Sequence, residues 1–139
     1  MPSIGTDSVK DMKSEYIDIR KKWGVIFSYD LRRLDEYEMR AMMMSLGMRG
    51  QRLDDAVDVL LNERNTGLCV SNDRLRMSLI FIGNATSEEQ YWDSVAHELG
   101  HAAHAICDYY GVSHVGEDYS WTLGFLMRKV VEKTAPPCV

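Results

Sequence analysis

The sequence lacks the long apolar segments that mark membrane and secreted proteins. No apolar run reaches the roughly 18–20 residues that a membrane-spanning helix needs. The first residues, MPSIGTDSVKDMKSE, contain no apolar segment of the kind found in signal peptides. We therefore expect a cytoplasmic protein that has no membrane partner.

Cysteine is also scarce. The three cysteines are odd in number and far apart, and none of them forms a C-x-x-C pair. This pattern favours reduced thiols over a disulfide framework. It gives no support for a structural zinc knuckle either. The residues are Cys69, Cys107 and Cys138.

Positive charge is limited. The formal net charge is −5, and no run of Lys and Arg is longer than RKK at 20–22. Because a phosphate backbone is bound by a basic face, a nucleic acid is not an expected partner.

The 139 residues, of which 45% are hydrophobic, are enough for one domain with a real core. We place this domain at 15–134, between a mobile N-terminal segment, 1–14, and a C-terminal tail, 135–139.

Two regions are rich in the β-branched and aromatic residues that are typical of strands. Residues 16–31 predict one or two strands. A hairpin is predicted further on, with a turn at Ser71–Asp73 that joins strands at 68–70 and 75–82. Apolar and polar residues alternate at the start of the second strand, so one of its faces is expected to meet solvent.

Apolar periodicity predicts four helices, at 34–48, 51–67, 86–111 and 116–133. The third is the best marked, because Thr86 and Glu89 match a capping box at its start and Gly111 ends it. On the first helix, one apolar face is predicted to pack in the core. Its members are Tyr37, Ala41, Met44 and Met48.

The helix at 86–111 carries the motif H-E-x-x-H, formed by His97, Glu98 and His101. Residues four positions apart lie on one helix face, so both imidazoles can reach a single Zn²⁺. The glutamate between them then lies beside the open position of the metal. There it can take a proton from a bound water and pass it to the leaving amine.

A catalytic zinc needs a third protein ligand, and four residues are candidates. Glu117 opens the next helix, and an antiparallel course would let its carboxylate reach the metal. His104 lies one turn beyond His101, but the helix curves away from a third ligand there. Cys107 and His114 complete the set of candidates. Glu117 is favoured, and it would give a His₂Glu site with water in the fourth position.

These residues resemble a known family. His97-Glu98-x-x-His101 followed by Glu117 is similar to the gluzincin branch of zinc metallopeptidases. The likeness is greatest to small peptidase-like proteins encoded by phages and mobile elements. It covers roughly 65–133 and extends more loosely back to Tyr16. The matching segments are the strand RMSLIFIGNATS, the motif helix and GEDYSWTLGFL.

The resemblance implies a fold and a mode of substrate binding. The expected fold is a minimal zincin-like domain of the α+β class, in which a small sheet packs on the H-E-x-x-H helix and the following helix runs antiparallel to it. The strand RMSLIFIG would lie along the cleft and hold an extended peptide. The sequence departs from the family pattern at Gly116, where a glutamate is usual, and at Trp121, where Tyr or Asp is usual. Asp93 or Asp108 is expected to support a ligand histidine instead.

The pattern and the resemblance together predict a zinc metalloendopeptidase. His97, His101 and Glu117 would hold Zn²⁺, Glu98 would activate the water, and a peptide or protein would be the substrate. The second possibility is a non-catalytic zinc-holding protein of the same fold, structural or virion-associated. The resemblance implies a bacterial or phage-infected cell, or a phage particle, as the location, with association to the particle or to a partner protein.

Overall fold

The computed structural model describes residues 12–113 and 116–134. These two ranges contain four strands and four helices, with a short 3-10 turn at Arg33–Asp35. Within these ranges, no helix combines the length and the apolar character required to cross a bilayer. The strands are β1 (Lys13–Ile19), β2 (Trp23–Tyr29), β3 (Gly67–Asn72) and β4 (Met77–Ile82), and the helices are α1 (Glu36–Ser45), α2 (Gly50–Asn62), α3 (Glu88–Tyr110) and α4 (Glu117–Lys133).

The strands form one mixed sheet in the order β1-β2-β4-β3. β2 and β4 are parallel, whereas the β1–β2 and β3–β4 pairs are antiparallel. A parallel pair needs a long crossover connection, and here α1, α2 and β3 lie between the two parallel strands. The predicted α+β class is confirmed. Strand β1 begins at Lys13, two residues before the predicted start of the domain.

Helices cover both faces of the sheet. On one face, Val25, Phe27 and Ile80 pack against α3 and α4. On the other face, Leu79 and Phe81 pack against α1 and α2. Every residue of β4 from 78 to 82 is therefore buried. The expectation that one face of this strand meets solvent was wrong, because the α1–α2 pair fills that side.

The β3–β4 hairpin has a longer first strand than the sequence predicts. β3 continues to Asn72, which pairs with Met77, and the turn occupies residues 73–76. Leu75 therefore lies in the turn, where 53% of it is exposed, and not in the second strand. The apolar alternation that includes Leu75 cannot reveal this shift, since an exposed leucine at a turn is common.

Helix α1 buries a different face from the predicted one. Met39 and Met43 are fully buried, whereas Tyr37 is 86% exposed and Met44 is 43% exposed. Ala41 is exposed as well, and of the predicted core face only Met48, which follows the helix, is buried. The helix carries two apolar stripes, and periodicity alone does not say which of them meets the sheet.

Helix α3 begins one residue later than the capping-box pattern predicts. The Ser87 hydroxyl is the cap and accepts a hydrogen bond from the Gln90 amide at 3.1 Å. Thr86 is engaged elsewhere, since its amide donates to the Asn65 side chain at 2.9 Å. The predicted end is confirmed: Gly111 caps the helix with a φ of 69°, a conformation that favours glycine.

Two adjacent methionines distinguish the buried stripe of α1 from the exposed one. Met43→Ala removes a fully buried side chain and should lower the free energy of unfolding by ~2–5 kcal/mol. Met44→Ala should change it by less than about 0.5 kcal/mol. Urea denaturation of both variants measures the difference. Equal losses would contradict this packing of α1.

Candidate active site

The two motif histidines face each other on the outer side of α3. Their Nε2 atoms are 3.2 Å apart, and the ring centroids are separated by 4.8 Å. Both side chains are exposed. The rings are free to bind a ligand from solvent, because the apolar face of α3 lies on the opposite side, against the sheet.

The spacing of the two nitrogens fits a shared metal. Ligands bound to zinc at roughly 2.0–2.1 Å in tetrahedral geometry are about 3.3 Å apart. The observed 3.2 Å between Nε2 of His97 and Nε2 of His101 is close to this value. The same distance also allows a hydrogen bond between two neutral imidazoles, one of them donating and the other accepting.

Glu98 lies on the inner side of the motif and is only 6% exposed. Its side chain packs directly against Gly67, the first residue of β3. A Cβ atom at position 67 would lie 2.7 Å from Cγ and 2.9 Å from Oε2 of Glu98. Glycine at this position therefore makes room for the carboxylate.

Burial controls the protonation of Glu98. Desolvation raises the pKa of its carboxyl above the ordinary value, and the charge of His97 opposes this in part. A raised carboxyl pKa is a property of glutamates that act as general bases or acids near neutral pH. Structural ion-pair networks can also shift pKa values. A raised pKa therefore indicates a functional carboxylate only when the group also borders a cleft, as Glu98 does.

A cleft runs along β3 and opens at the motif. A cavity of about 430 Å³ is bounded by His97, Glu98 and His101 on the helix side and by Leu68, Cys69 and Ser71 on the strand side. A second cavity of about 330 Å³ continues past Gly67 on the side of Asn65 and Asp93. The carboxylate of Glu98 thus lies between two cavities that share this side chain.

The strand beside the cleft is β3 and not the strand that the resemblance implies. RMSLIFIG corresponds to β4, which pairs with β2 on one side and with β3 on the other. A strand that is paired on both sides cannot add a peptide. β3 is an edge strand, and all of its residues except Val70 are partly exposed. The expectation about RMSLIFIG was wrong because strand order is set by a long crossover that sequence pattern does not reveal.

Glu117 lies at the first position of α4 and is exposed. The next residue, Asp118, acts electrostatically on the thiol of Cys107. Cys107 is six residues beyond His101, which corresponds to about 9 Å along the helix axis. In the described parts of the chain, no three His, Cys, Asp or Glu side chains form a metal-sized group. Glu117 as third ligand stays a prediction, and His114 lies outside the described residues.

The two cysteines near α3 are poor ligands as they are placed. Burial raises the pKa of the Cys69 thiol to about 12, although Cys69 borders the cleft. Burial also raises the pKa of Cys107, which is 1% exposed. Both thiols are therefore neutral near pH 7, whereas zinc binds the thiolate. Cys107 is occupied by its contact with Thr122 on α4.

Three other side chains of α3, those of Tyr109, Tyr110 and Asp93, lie outside the motif. Tyr109 and Tyr110 pack edge-on against Trp23, and the Tyr110 hydroxyl donates to the Lys22 carbonyl at 2.8 Å. These contacts hold the end of α3 against the sheet. Asp93 borders the second cavity together with His97, as the prediction of a supporting role requires. That role itself stays a prediction.

Sequence reasoning missed three residues that shape this site. Gly67 and Ser71 border the cleft, and the Tyr119 hydroxyl reaches α3 at Gly100, 3.5 Å from where a Cβ atom there would lie. A glycine directly before a predicted strand was a weak signal for a close approach. Nothing local to Tyr119 signals its position, which depends on how α4 packs on α3.

Comparison with known proteins identified no matching family model, no similar curated protein and no similar solved structure. The function of this site therefore has to be inferred from its own chemistry.

The buried carboxylate predicts a pH-dependent effect on stability. Because the folded-state pKa of Glu98 is raised, its contribution is favourable below the pKa of the unfolded chain and is lost as the pH rises through the folded pKa. In metal-free protein, Glu98→Gln should therefore be more stable than the parent at pH 7, and this gain should vanish in acid.

The free energy of unfolding of the parent and of Glu98→Gln is measured by denaturant unfolding at pH 7 and in acid, with chelator present. Glu89→Gln, on the exposed first turn of the same helix, is the control and should show no such gain. A Glu98→Gln protein that is less stable than the parent at pH 7 would contradict the desolvated carboxylate.

Proposed function

We propose that this protein is a zinc-dependent peptidase. His97 and His101 bind the metal through Nε2, Glu117 is the third ligand, and Glu98 is the general base. The observation that carries the proposal is the pairing of two convergent imidazoles with a buried carboxylate at the edge of a cleft. Two ordinary surface histidines on a helix have no need of a buried carboxylate between them.

Each residue of the site has a separate role in the proposed reaction. A divalent metal held by the two histidines would lower the pKa of a water molecule bound to it. Glu98 accepts the proton of the attacking water, since its burial gives the carboxylate a greater affinity for a proton. It then donates this proton to the leaving amine. Gly67 keeps the carboxylate aimed at the cleft, because any side chain at position 67 would displace it.

The shape of the cleft favours a peptide substrate. β3 is an edge strand whose outer side lies along the cavity. An extended peptide can add to such an edge through main-chain hydrogen bonds. It would then pass beside Glu98, where β3 begins. This position beside Glu98 supports a peptide bond as the group that is hydrolysed.

Glu117 is proposed as third ligand on chemical grounds. A His₂Glu set leaves the fourth position open for water. Glu117 is exposed at the first turn of the helix that packs beside α3, so its carboxylate has no buried contact to give up. Because the described residues contain no metal-sized group of three His, Cys, Asp or Glu side chains, the Glu117 carboxylate has to approach the histidines when zinc binds, and zinc should therefore order this turn.

Hydrolysis by this protein should depend on Glu98. Incubation with a mixture of unstructured peptides, followed by mass spectrometry, should reveal cleavage that a chelator abolishes. Glu98→Gln should retain the metal and lose roughly 10²–10⁴-fold in rate, the usual contribution of a general base.

The control for this experiment is Glu89→Gln, which should cleave like the parent protein. Hydrolysis that survives Glu98→Gln would refute the assigned role. Zinc binding without hydrolysis in the parent would instead favour a non-catalytic, zinc-holding protein.

The third ligand is tested by two neighbouring acidic residues. Glu117→Ala should weaken zinc binding by more than about 100-fold, since removal of a mere supporting residue already costs roughly 10–100-fold. Asp118→Ala removes the adjacent first-turn carboxylate and should change the affinity little. Competition with a chromophoric chelator measures both.

Hydrogen exchange gives a second measurement on the same site. Zinc should slow exchange in the first turn of α4 in the parent protein and not in Glu117→Ala. If affinity falls with His104→Ala and not with Glu117→Ala, the ligand assignment is wrong.

A further inference from the structure

Two turns at one end of the sheet bring together five exposed cations. Because β2 and β4 are parallel, the turn before each of them lies at the same end. The amide of Gly24 donates to the carbonyl of Arg76 at 3.0 Å and ties the two turns together. We call this surface the basic end, and it consists of Arg20, Lys21, Lys22, Arg74 and Arg76, all exposed.

Three of the five cations of the basic end have a backbone conformation that is unfavourable for their side chains. Arg20, Lys21 and Arg76 have φ values of 51°, 58° and 51°. This left-handed conformation is adopted readily by glycine and asparagine and is unfavourable for longer side chains. Cations occupy three positions at which glycine would fit the turn better. Such an outlier is a reason to look for a function.

The charge of the basic end is little compensated. Among ion pairs between described residues, none involves any of the five cations. Arg20 stacks over the Trp121 ring at 4.4 Å, which leaves its charge in place. The acidic residues nearest in sequence are Asp18, near the end of β1, and Asp73, in the second turn; Asp18 accepts a hydrogen bond from the Lys21 amide. The cationic surface belongs to a chain whose net charge is −5.

The basic end is continuous with the cleft. β3 begins at Gly67 beside Glu98 and ends at Asn72, where the turn with Arg74 and Arg76 starts. Five residues of strand span about 17 Å. In a peptide that extends along β3 from the reacting bond, the residues about five positions from that bond would therefore lie beside this turn.

A third turn adds positive charge at the same place. The Asn72 side chain donates to the Leu46 carbonyl at 3.1 Å and so holds the α1–α2 turn against the end of β3. Arg49 lies in this turn, is exposed, and is oriented by hydrogen bonds from its guanidinium to the carbonyls of Met44 and Met48. The end of the cleft is thus flanked by cations from two sides.

We propose that the basic end binds an acidic segment of the peptide that occupies the cleft. The inference rests on the proposed function for what lies in the cleft, and it adds a substrate class: polypeptides with several Asp or Glu residues about four to six positions from the reacting bond. The direction in which the peptide runs decides whether these residues precede or follow that bond.

An acidic peptide fits these observations better than other polyanions do. A bilayer or a nucleic acid is an extended anion and would be repelled by the rest of a negatively charged chain. A short acidic segment is attracted locally and is positioned by the strand that leads to the turn. Electrostatic complementarity of this kind sets specificity more than total affinity.

Binding of fluorescein-labelled peptides to the full chain tests the proposal. The probes are extended Thr/Val peptides with a run of Glu at either the N-terminal or the C-terminal end, and matched peptides with Gln in place of Glu. The protein is the Glu98→Gln variant in the presence of chelator, so the assay needs neither metal nor turnover. At least one Glu peptide should bind about tenfold more tightly than its Gln counterpart at low salt. High salt should reduce the difference.

Two variants test whether the preference for Glu peptides depends on the basic end. The double change Arg74→Ala/Arg76→Ala should remove most of the preference for Glu. Lys13→Ala, which removes an exposed cation at the opposite end of the sheet, should leave it intact. Equal binding of Glu and Gln peptides in both orientations would overturn the proposal. A preference for Glu that the double variant keeps would overturn it as well.

Two further probes separate the other polyanions. Vesicles that contain phosphatidylserine and a single-stranded DNA oligonucleotide are tested in the same way. Binding of either probe that depends on Arg74 and Arg76, without a preference for Glu peptides, would assign the basic end to a different ligand and overturn the proposal. If Glu peptides bind as expected but the parent protein hydrolyses nothing, the proposed function fails and the acidic-peptide site stands.

Discussion

The site depends on a carboxylate that is held out of water. Glu98 is covered on the inner side of α3 by Gly67, and only a residue without a side chain leaves room for it. Burying an ionisable group without a full set of partners is unfavourable. The surrounding structure must therefore supply the stability that this position loses, and the two-sided burial of the sheet does so.

Several features of the fold follow from this constraint. Ala102 and Ala103 are fully buried where α3 meets the sheet, so the helix can lie close to the strands. Close packing brings the Glu98 side chain to the first residue of β3. Since β3 is an edge strand, the same contact that buries the carboxylate also leaves a cleft beside it. His97 precedes Glu98 by one position and His101 follows it by three, so both histidines lie on the solvent side of the helix.

Local signals in the sequence predicted the parts of the site that lie on one helix. The i, i+4 spacing of His97 and His101 requires only helical geometry, and it correctly predicted convergent imidazoles. Gly111 ended that helix as expected. The burial of Glu98 was not predictable in this way, because it depends on Gly67, which lies 31 residues earlier in the chain.

Other errors have the same non-local origin. The cleft was expected to lie along β4, but β3 borders it, since the crossover that makes β2 and β4 neighbours leaves no local trace in the sequence. The apolar stripe of Tyr37 and Met44 was assigned to the core although Met39 and Met43 fill it. The basic end also has a non-local origin: RKK at 20–22 is far from Arg74 and Arg76 in the sequence, and only the fold brings them together.

The most direct test of a shared metal is X-ray absorption at the zinc edge, on protein loaded with one equivalent of zinc. The account predicts one tightly bound zinc with two imidazole nitrogens and oxygen ligands, all at roughly 2.0–2.2 Å, in four-coordinate geometry. His97→Ala, which leaves only one of the two imidazoles, should weaken zinc binding and reduce the imidazole signal of any zinc that remains bound. Sulfur at about 2.3 Å, or no stoichiometric zinc at all, would contradict the account.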